Sequence, residues 1–304
     1  MKRIITGITF VVLTTMVLSG FIGCKTSSST SASRVLKFNL EKGRQYDYEM
    51  VWDMNQKAMG QENAFSIGAF YTIDVTENEG NIRTMIGTYK KFSMTMNIMG
   101  MQIDIDTDKL RNLKSTDSAG KNPMVMMKKL FSSIVDKSFT MKVNDEGKVL
   151  EVSGFKEMIA GMLDSLDLDE EEKIQGLATL NDQFNDESVR DQFAQLFYIF
   201  PNKEVKVGDS WEKSHAAGGK MPAKYTTAYK VKEIEGDFVT LDAKSKIETN
   251  GDLDLNGSQT GTLIVDSRSG LVVNAKFDQS ISISVQGVSL EMTGKGNIKG
   301  TEKN

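Results

Sequence analysis

The chain carries one histidine, His215, and one cysteine, Cys24. These two counts decide most of the chemistry open to it. A zinc site with the usual imidazole and thiolate ligands needs more of both. A Ser-His-Asp triad would have to use His215, and no Gly-x-Ser-x-Gly turn is present to raise a nucleophilic serine. There is no glycine-rich phosphate loop. His215 follows a strand pattern and precedes Ala216-Ala217-Gly218-Gly219, so the sequence places it on a loop as a solvated residue. Acids number 41, and a glycosidase needs only two of them, but among so many such pairs arise by chance. Asp252, Asp254 and Asn256 followed by Gly257 match the opening of a calcium loop, yet Leu263 stands at the twelfth position, where a bidentate Glu is required. The plainer expectation is a strand with Asp252 and Asp254 outward, entering an Asn256-Gly257 hairpin. Asp104, Asp106 and Asp108 alternate in the same way, with Lys109 where the glycine should be. The sequence therefore predicts no catalytic residue, no metal and no cofactor.

Methionine is the unusual residue: there are 18, and 11 fall between Met85 and Met162. Unbranched thioethers fill irregular cores and line adaptable apolar surfaces. They also bind Cu(I), but such sites usually add histidine, and none is nearby. The pattern predicts an apolar or acyl-ligand cleft between a sheet and helices, lined by Met94, Met96, Met127, Phe131, Phe155, Met158 and Met162. The competing expectation is a filled core. Asp117-Ser118-Ala119 and Asp164-Ser165-Leu166 resemble the Asp-Ser/Thr-apolar site of periplasmic O-glycosylation in Bacteroidota, which would place glycans on Ser118 and Ser165.

Cys24 sits where a sole thiol is most informative. Lys2 and Arg3 form a basic start, Ile4 to Ile22 is an uncharged apolar run, and Gly23-Cys24 closes it, which describes an export signal. The segment resembles the lipobox of bacterial lipoproteins, with Phe21 where that family usually has leucine and Leu18-Ser19-Gly20 one step early. The resemblance implies that Cys24 takes a diacylglyceryl thioether and becomes the first residue. Such lipoproteins carry two or three acyl chains, enough for stable anchoring. An uncleaved transmembrane helix and a secreted protein cut near Ser31-Ala32-Ser33 are the alternatives. Lys25 to Ser33 is a polar, low-complexity tether. Tether and body resemble uncharacterised lipoproteins of the Bacteroidota. By that resemblance, the lack of acids after Cys24 favours a periplasm-facing protein, and a residue 25 other than Asp favours the outer membrane. The compartment is oxidising, but the only thiol would be lipidated, so no disulfide is available. Formal net charge is −4 with the charges interspersed, and Lys128-Lys129 has no aromatic interleaving, which argues against nucleic-acid binding.

Stepping along the mature chain gives strands, then helices, then strands. Residues 1–23 read as signal peptide, 24–33 as tether, 34–152 as a β-rich half, 153–203 as a helical connector and 204–304 as a second β-rich half. In the first half, Val35 to Leu40 and Tyr46 to Met54 flank Lys42-Gly43 like a hairpin, and Asn144-Asp145-Glu146-Gly147 is a strong turn signal. Phe155, Met158, Ile159, Met162, Leu163 and Leu166 fall on one helical face. Asp169 with Glu172 forms a capping-box pattern, and a third helix turns Val189, Phe193, Leu196 and Phe197 inward before Pro201. Asn122-Pro123 opens a separate helix bearing Met124, Met127, Phe131 and Ile134. Val75-Thr-Glu-Asn-Glu-Gly80 matches Val231-Lys-Glu-Ile-Glu-Gly236, Gly43 to Tyr46 echoes Gly208 to Trp211, and Val143 to Val149 echoes Val265 to Val272, in the same order. Either the two halves are a degenerate duplication or two meanders share turn signals.

The expected class is α+β and β-rich: one or two curved antiparallel sheets, or an open half-barrel, with a helical insert at about 153–200. The pattern resembles periplasmic lipoprotein carriers of the LolA/LolB type, which implies a curved open sheet holding acyl chains under helices. The expected function is a non-enzymatic binding lipoprotein of the envelope. A structural lipoprotein contacting envelope proteins is the alternative, and a glycan-acting enzyme the third.

Overall fold

The computed structural model describes residues 32–303 apart from 59, 99–100, 111–122, 165, 167, 184, 218–222, 250–253 and 286–287. Cys24, Ser118 and Ser165 lie outside the described residues, and so does the side chain of Met127.

Twelve strands form one antiparallel sheet. The first part supplies β2 (Gln45–Ala58), β3 (Gln61–Glu79), β4 (Ile82–Ile98), β5 (Met101–Asp106), β6 (Ser138–Asn144) and β7 (Val149–Ser153). The second supplies β9 (Ser210–Ala217), β10 (Ala223–Glu235), β11 (Phe238–Thr249), β12 (Asp254–Asp266), β13 (Leu271–Val285) and β14 (Val288–Lys303). The spatial order is β7-β6-β4-β3-β2-β14-β13-β12-β11-β10-β9, with β5 added on β4. The sheet curves but does not close, because β7 and β9 end the path unpaired with each other. Two short strands, β1 (Ser33–Leu36) and β8 (Lys203–Lys206), pair separately.

Alternation sets the buried face. Tyr46, Tyr48 and Met50 of β2 are buried, as are Ala69, Tyr71, Ile73 and Val75 of β3, so every second residue faces the helices. Helix α3 (Phe155–Asp164) buries Phe155, Met158, Ile159, Met162 and Leu163, the face its sequence period marks. Helix α4 (Glu170–Gln183) is opened by a reciprocal cap: the Asp169 amide donates to Glu172 at 3.1 Å and the Glu172 amide donates to Asp169 at 2.8 Å. Helix α5 (Asp186–Phe197) drives Phe193 and Phe197 into the sheet, where Phe193 meets Tyr71 at 5.6 Å and Phe139 at 5.8 Å between ring centroids. Helices α1 (Thr107–Leu110) and α2 (Pro123–Ser132) complete the cover. No helix among the described residues is long and apolar enough to cross a membrane.

Two expectations need correction. Val35 to Leu40 does not form a hairpin with β2: Ser33 to Leu36 pairs with Lys206 to Lys203 instead. The intervening Phe38 and Leu40 are buried, and Arg83 fixes their segment by donating from Nε to the Leu40 carbonyl at 3.0 Å. Asn256-Gly257 is not a turn. It lies inside β12, with Asn256 opposite Glu248 on one side and Ser282 on the other. A Cβ at Gly257 would come within 3.2 Å of the Ile281 and Ile247 side chains, so this glycine serves close packing within the sheet.

Candidate ligand groove

Two cavities lie side by side between the concave face and the helices. The smaller, of about 270 Å³, has β3 and β4 as floor and α2, α3 and α5 as roof. Ala69, Tyr71, Phe92, Phe131, Ile159 and Met162 give it an almost wholly apolar lining. Phe131 lies flat on Phe92, with centroids 4.5 Å apart and planes 5° from parallel. Its two phenols are chemically quiet. Tyr71 donates to the Tyr89 hydroxyl at 3.3 Å, and burial raises both, Tyr89 to about 12.

The larger cavity, of about 470 Å³, lies over β2, β14, β13 and the strands out to β9, with α5 as its other wall. Ile67 and Gln192 line both cavities, so the two are neighbours that share a wall at that point. The floor of the larger one is tiled with rings that lie against glycine. Trp52 pairs with Gly296 and Phe277 with both Gly261 and Gly296. A Cβ at Gly296 would come within 2.7 Å of the Trp52 ring, and one at Gly261 would overlap Phe277. The Trp52 and Phe277 rings are 8° from parallel at 6.3 Å. Tyr225 and His215, opposite each other on β10 and β9, are 4° from parallel at 5.0 Å.

His215 corrects a sequence expectation. It is a strand residue of β9 that faces the cavity, because Trp211, Lys213 and His215 share the inward phase. Its Nε2 is the one buried side-chain nitrogen or oxygen without a hydrogen-bond partner among the described residues. Burial holds the imidazole below its ordinary value, and the Asp191 carboxylate pulls the other way. Asp191 is itself buried and takes Arg190 Nε at 3.3 Å and an Arg190 terminal nitrogen at 3.2 Å. The remaining polar lining is uncharged: Gln192, Gln195, Gln259, Gln279, Thr227 and Ser245. Among the described residues, no group of three or more His, Cys, Asp or Glu side chains converges as a metal site.

The predicted cleft residues divide. Phe131, Phe155 and Met162 meet at the smaller cavity. Met94 is buried on β4 opposite Ile67 and Ile105, Met96 is half-buried opposite Phe65 and Ile103, and Met158 packs in the main core, so these three contribute to neither cavity wall. Sequence reasoning passed over Trp52, Phe277, Tyr225 and Gln192. The signal that pointed to the floor was present as Gly257-x-x-x-Gly261 and Gly294-x-Gly296, glycines inside strand patterns, which mark close approach of a neighbouring group.

A large curved, unclosed antiparallel sheet with helices packed against one face defines a β-rich α+β protein. The chain belongs to the Family of unknown function (DUF6263), whose family model matches residues 80–272. No curated protein matches. Among solved structures it is similar to the one titled "Lipid-protein interactions in lipovitellin", at 8% identity, over 86% of this chain and 25% of that chain, with a TM-score of 0.48. The chain thus spans about a quarter of the length of that protein. It is also similar to the translocator domain of the autotransporter NalP from Neisseria meningitidis, at 6% identity, 85% and 89% coverage and a TM-score of 0.33. The COG4313 outer membrane channel from Pseudomonas putida F1 gives 6% identity, 90% and 98% coverage and a TM-score of 0.25.

Proposed function

We propose that this protein is a non-enzymatic lipoprotein of the cell envelope, anchored through Cys24, that holds an amphiphile in its concave groove. The observation that carries the reading is the adjacency of the two cavities across Ile67 and Gln192, one almost wholly apolar and one whose apolar floor is edged by glutamines, Thr227, Ser245, His215 and Asp191. Ligand sites of ~300–1,000 Å³ are typically apolar with a few placed polar groups. A single acyl chain fits the first cavity and its head the second. The anchor rests on the export signal that ends at Cys24 and on the polar tether behind it.

Native mass spectrometry of protein gently extracted from its own host tests this. The expected result is a one-to-one lipid-sized adduct that is reduced in Gln192→Trp. Gln192 is exposed at the junction of the cavities, so the larger ring should obstruct the groove with little cost to folding. Bare protein mass in the wild type would count for a structural lipoprotein instead. Separately, Cys24→Ala should leave the membrane fraction or accumulate as precursor, and unchanged processing and membrane retention would remove the anchor from the account.

A further inference from the structure

We infer that the larger cavity selects an uncharged, hydroxyl-bearing head group, a specificity that rests on the amphiphile reading of the groove and goes beyond it. Charge gives the first argument. Among the described residues no lysine or arginine lines the cavity, and its carboxylate, Asp191, is already met by Arg190. A phosphate or carboxylate head would lose its water there with no cation in the lining to meet it, since Arg190 is already paired with Asp191. A cationic head would find Asp191 already engaged.

Hydrogen-bond chemistry gives the second. Glutamine, threonine and serine side chains each donate and accept, as a hydroxyl does. Gln192 and Gln195 reach the cavity from α5, while Gln259, Gln279, Thr227 and Ser245 come from the sheet. His215 Nε2 is buried at the same wall with no partner. A ligand hydroxyl would satisfy that atom in either imidazole tautomer, donating to a bare nitrogen or accepting from N–H, once a turn of the ring brings the buried Nε2 to the cavity face. A carboxylate could satisfy only one of the two.

The floor gives the third. Trp52 and Phe277 lie flat because Gly296 and Gly261 leave the space beneath them. Ring faces presented in this way stack against the C–H faces of a polyol or sugar, leaving its hydroxyls pointed sideways to the glutamines. A glyceride head and a sugar ring share this chemistry.

A set of amphiphiles with one twelve-carbon tail separates the terms: lauroyl glycerol, dodecyl glucoside, dodecanoate, dodecyl phosphate and dodecyltrimethylammonium. Each is titrated below its micelle concentration into the full mature protein, and Trp52 fluorescence is read in a Trp211→Phe background. At least one of the two neutral ligands should bind about tenfold or more tighter than either anion and than the cation. His215→Phe should weaken that neutral ligand about tenfold and leave the anions unchanged. His215→Gln, which keeps a hydrogen-bonding group, should restore part of the loss. A glucoside preference identifies a glycolipid head, and a glycerol preference a glyceride; both support the inference. Equal binding of all five would overturn the head-group selection while leaving the groove intact, and tightest binding of the cation or of an anion would overturn it too. Binding of none would overturn the amphiphile reading itself.

Discussion

The two β regions share a skeleton and use it differently. In the first, the Gly43 amide donates to the Val75 carbonyl at 2.8 Å, and in the second, the Gly208 amide donates to Val231 at 2.9 Å. The strand register slips between Val75 and Glu77, and again between Val231 and Glu233. It slips a second time between Lys142 and Val143, and between Ile264 and Val265. Gly43, Gly80 and Gly147 take positive φ, as do Gly208, Gly236 and Gly270. These turns and bulges recur in the order that the sequence echoes suggest, while a further slip between Phe70 and Tyr71 belongs to the first region alone. What fills the concave face does not recur. In the first region Tyr71, Phe139, Phe193 and Phe197 interlock against α5 and leave only the smaller, apolar cavity beside them. Toward the second, rings recline on glycines, glutamines replace large apolar groups, and space remains. The comparison teaches that backbone curvature is set by bulges and turns, whereas a groove opens only where side chains stop short of the helices.

The sharpest break of this comparison is a pair of truncations. Phe193→Ala removes a fully buried ring from the sealed end and should cost ~3–5 kcal/mol of stability in denaturant unfolding. Phe277→Ala removes a half-buried ring from the open floor and should cost clearly less while weakening amphiphile binding. Equal losses would erase the distinction between the two ends. A second test stays with the shared skeleton. A Cβ at Gly147 would collide with the Phe197 carbonyl, and one at Gly270 with the Lys37 carbonyl, whereas Gly80 and Gly236 face open space. Gly147→Ala and Gly270→Ala should each cost more than ~2 kcal/mol, and Gly80→Ala and Gly236→Ala only ~1 kcal/mol from the left-handed backbone. If the costs pair by half instead of by turn, the equivalence of the turns is wrong.

The smallest effect is a pH slope. Unfolded, the His215 ring takes a proton as pH falls through about 6.5; folded, burial delays this to lower pH. The unfolded state therefore binds more protons between the two values. Stability should decline as pH drops from 6.5 into that window and level off below the folded value. Around the ring stand Tyr225 on β10, Asp191 and Arg190 on α5, and Lys213 further along β9 with its ammonium 4.3 Å from the Tyr198 ring centre. His215→Asn should flatten the slope that sets in as pH falls below about 6.5, measured by thermal melting. An unchanged slope would assign it to other groups.

Legibility in the sequence followed the range of the interactions. The α3 face, the Asp169 cap, the inward residues of α5 and the Asn144 to Gly147 turn depend on neighbours within a few residues, and their patterns were plain. The pairing of β1 with β8 and of β2 with β14 joins distant segments and left no local mark. The groove was expected among methionines because methionine is abundant. Phe131, Phe155 and Met162 of that expected lining do border the smaller cavity, Met94 and Met158 are buried away from both, and room also remains where glycine lets Trp52 and Phe277 lie flat. His215 was misplaced because the alternation of β9 runs on to Ala217, past the point where small residues suggested a loop.

The central claim is that an amphiphile lies along the concave face with its tail under α2 and α3 and its head over Trp52. Intermolecular nuclear Overhauser effects between labelled protein and bound dodecyl glucoside or lauroyl glycerol test it most directly. The account predicts contacts from the terminal tail methyl to the Met162 and Ile159 methyls, and from the head-group protons to the Trp52 indole and Tyr225 ring. A reversed orientation, or contacts confined to residues outside the two cavities, would contradict it.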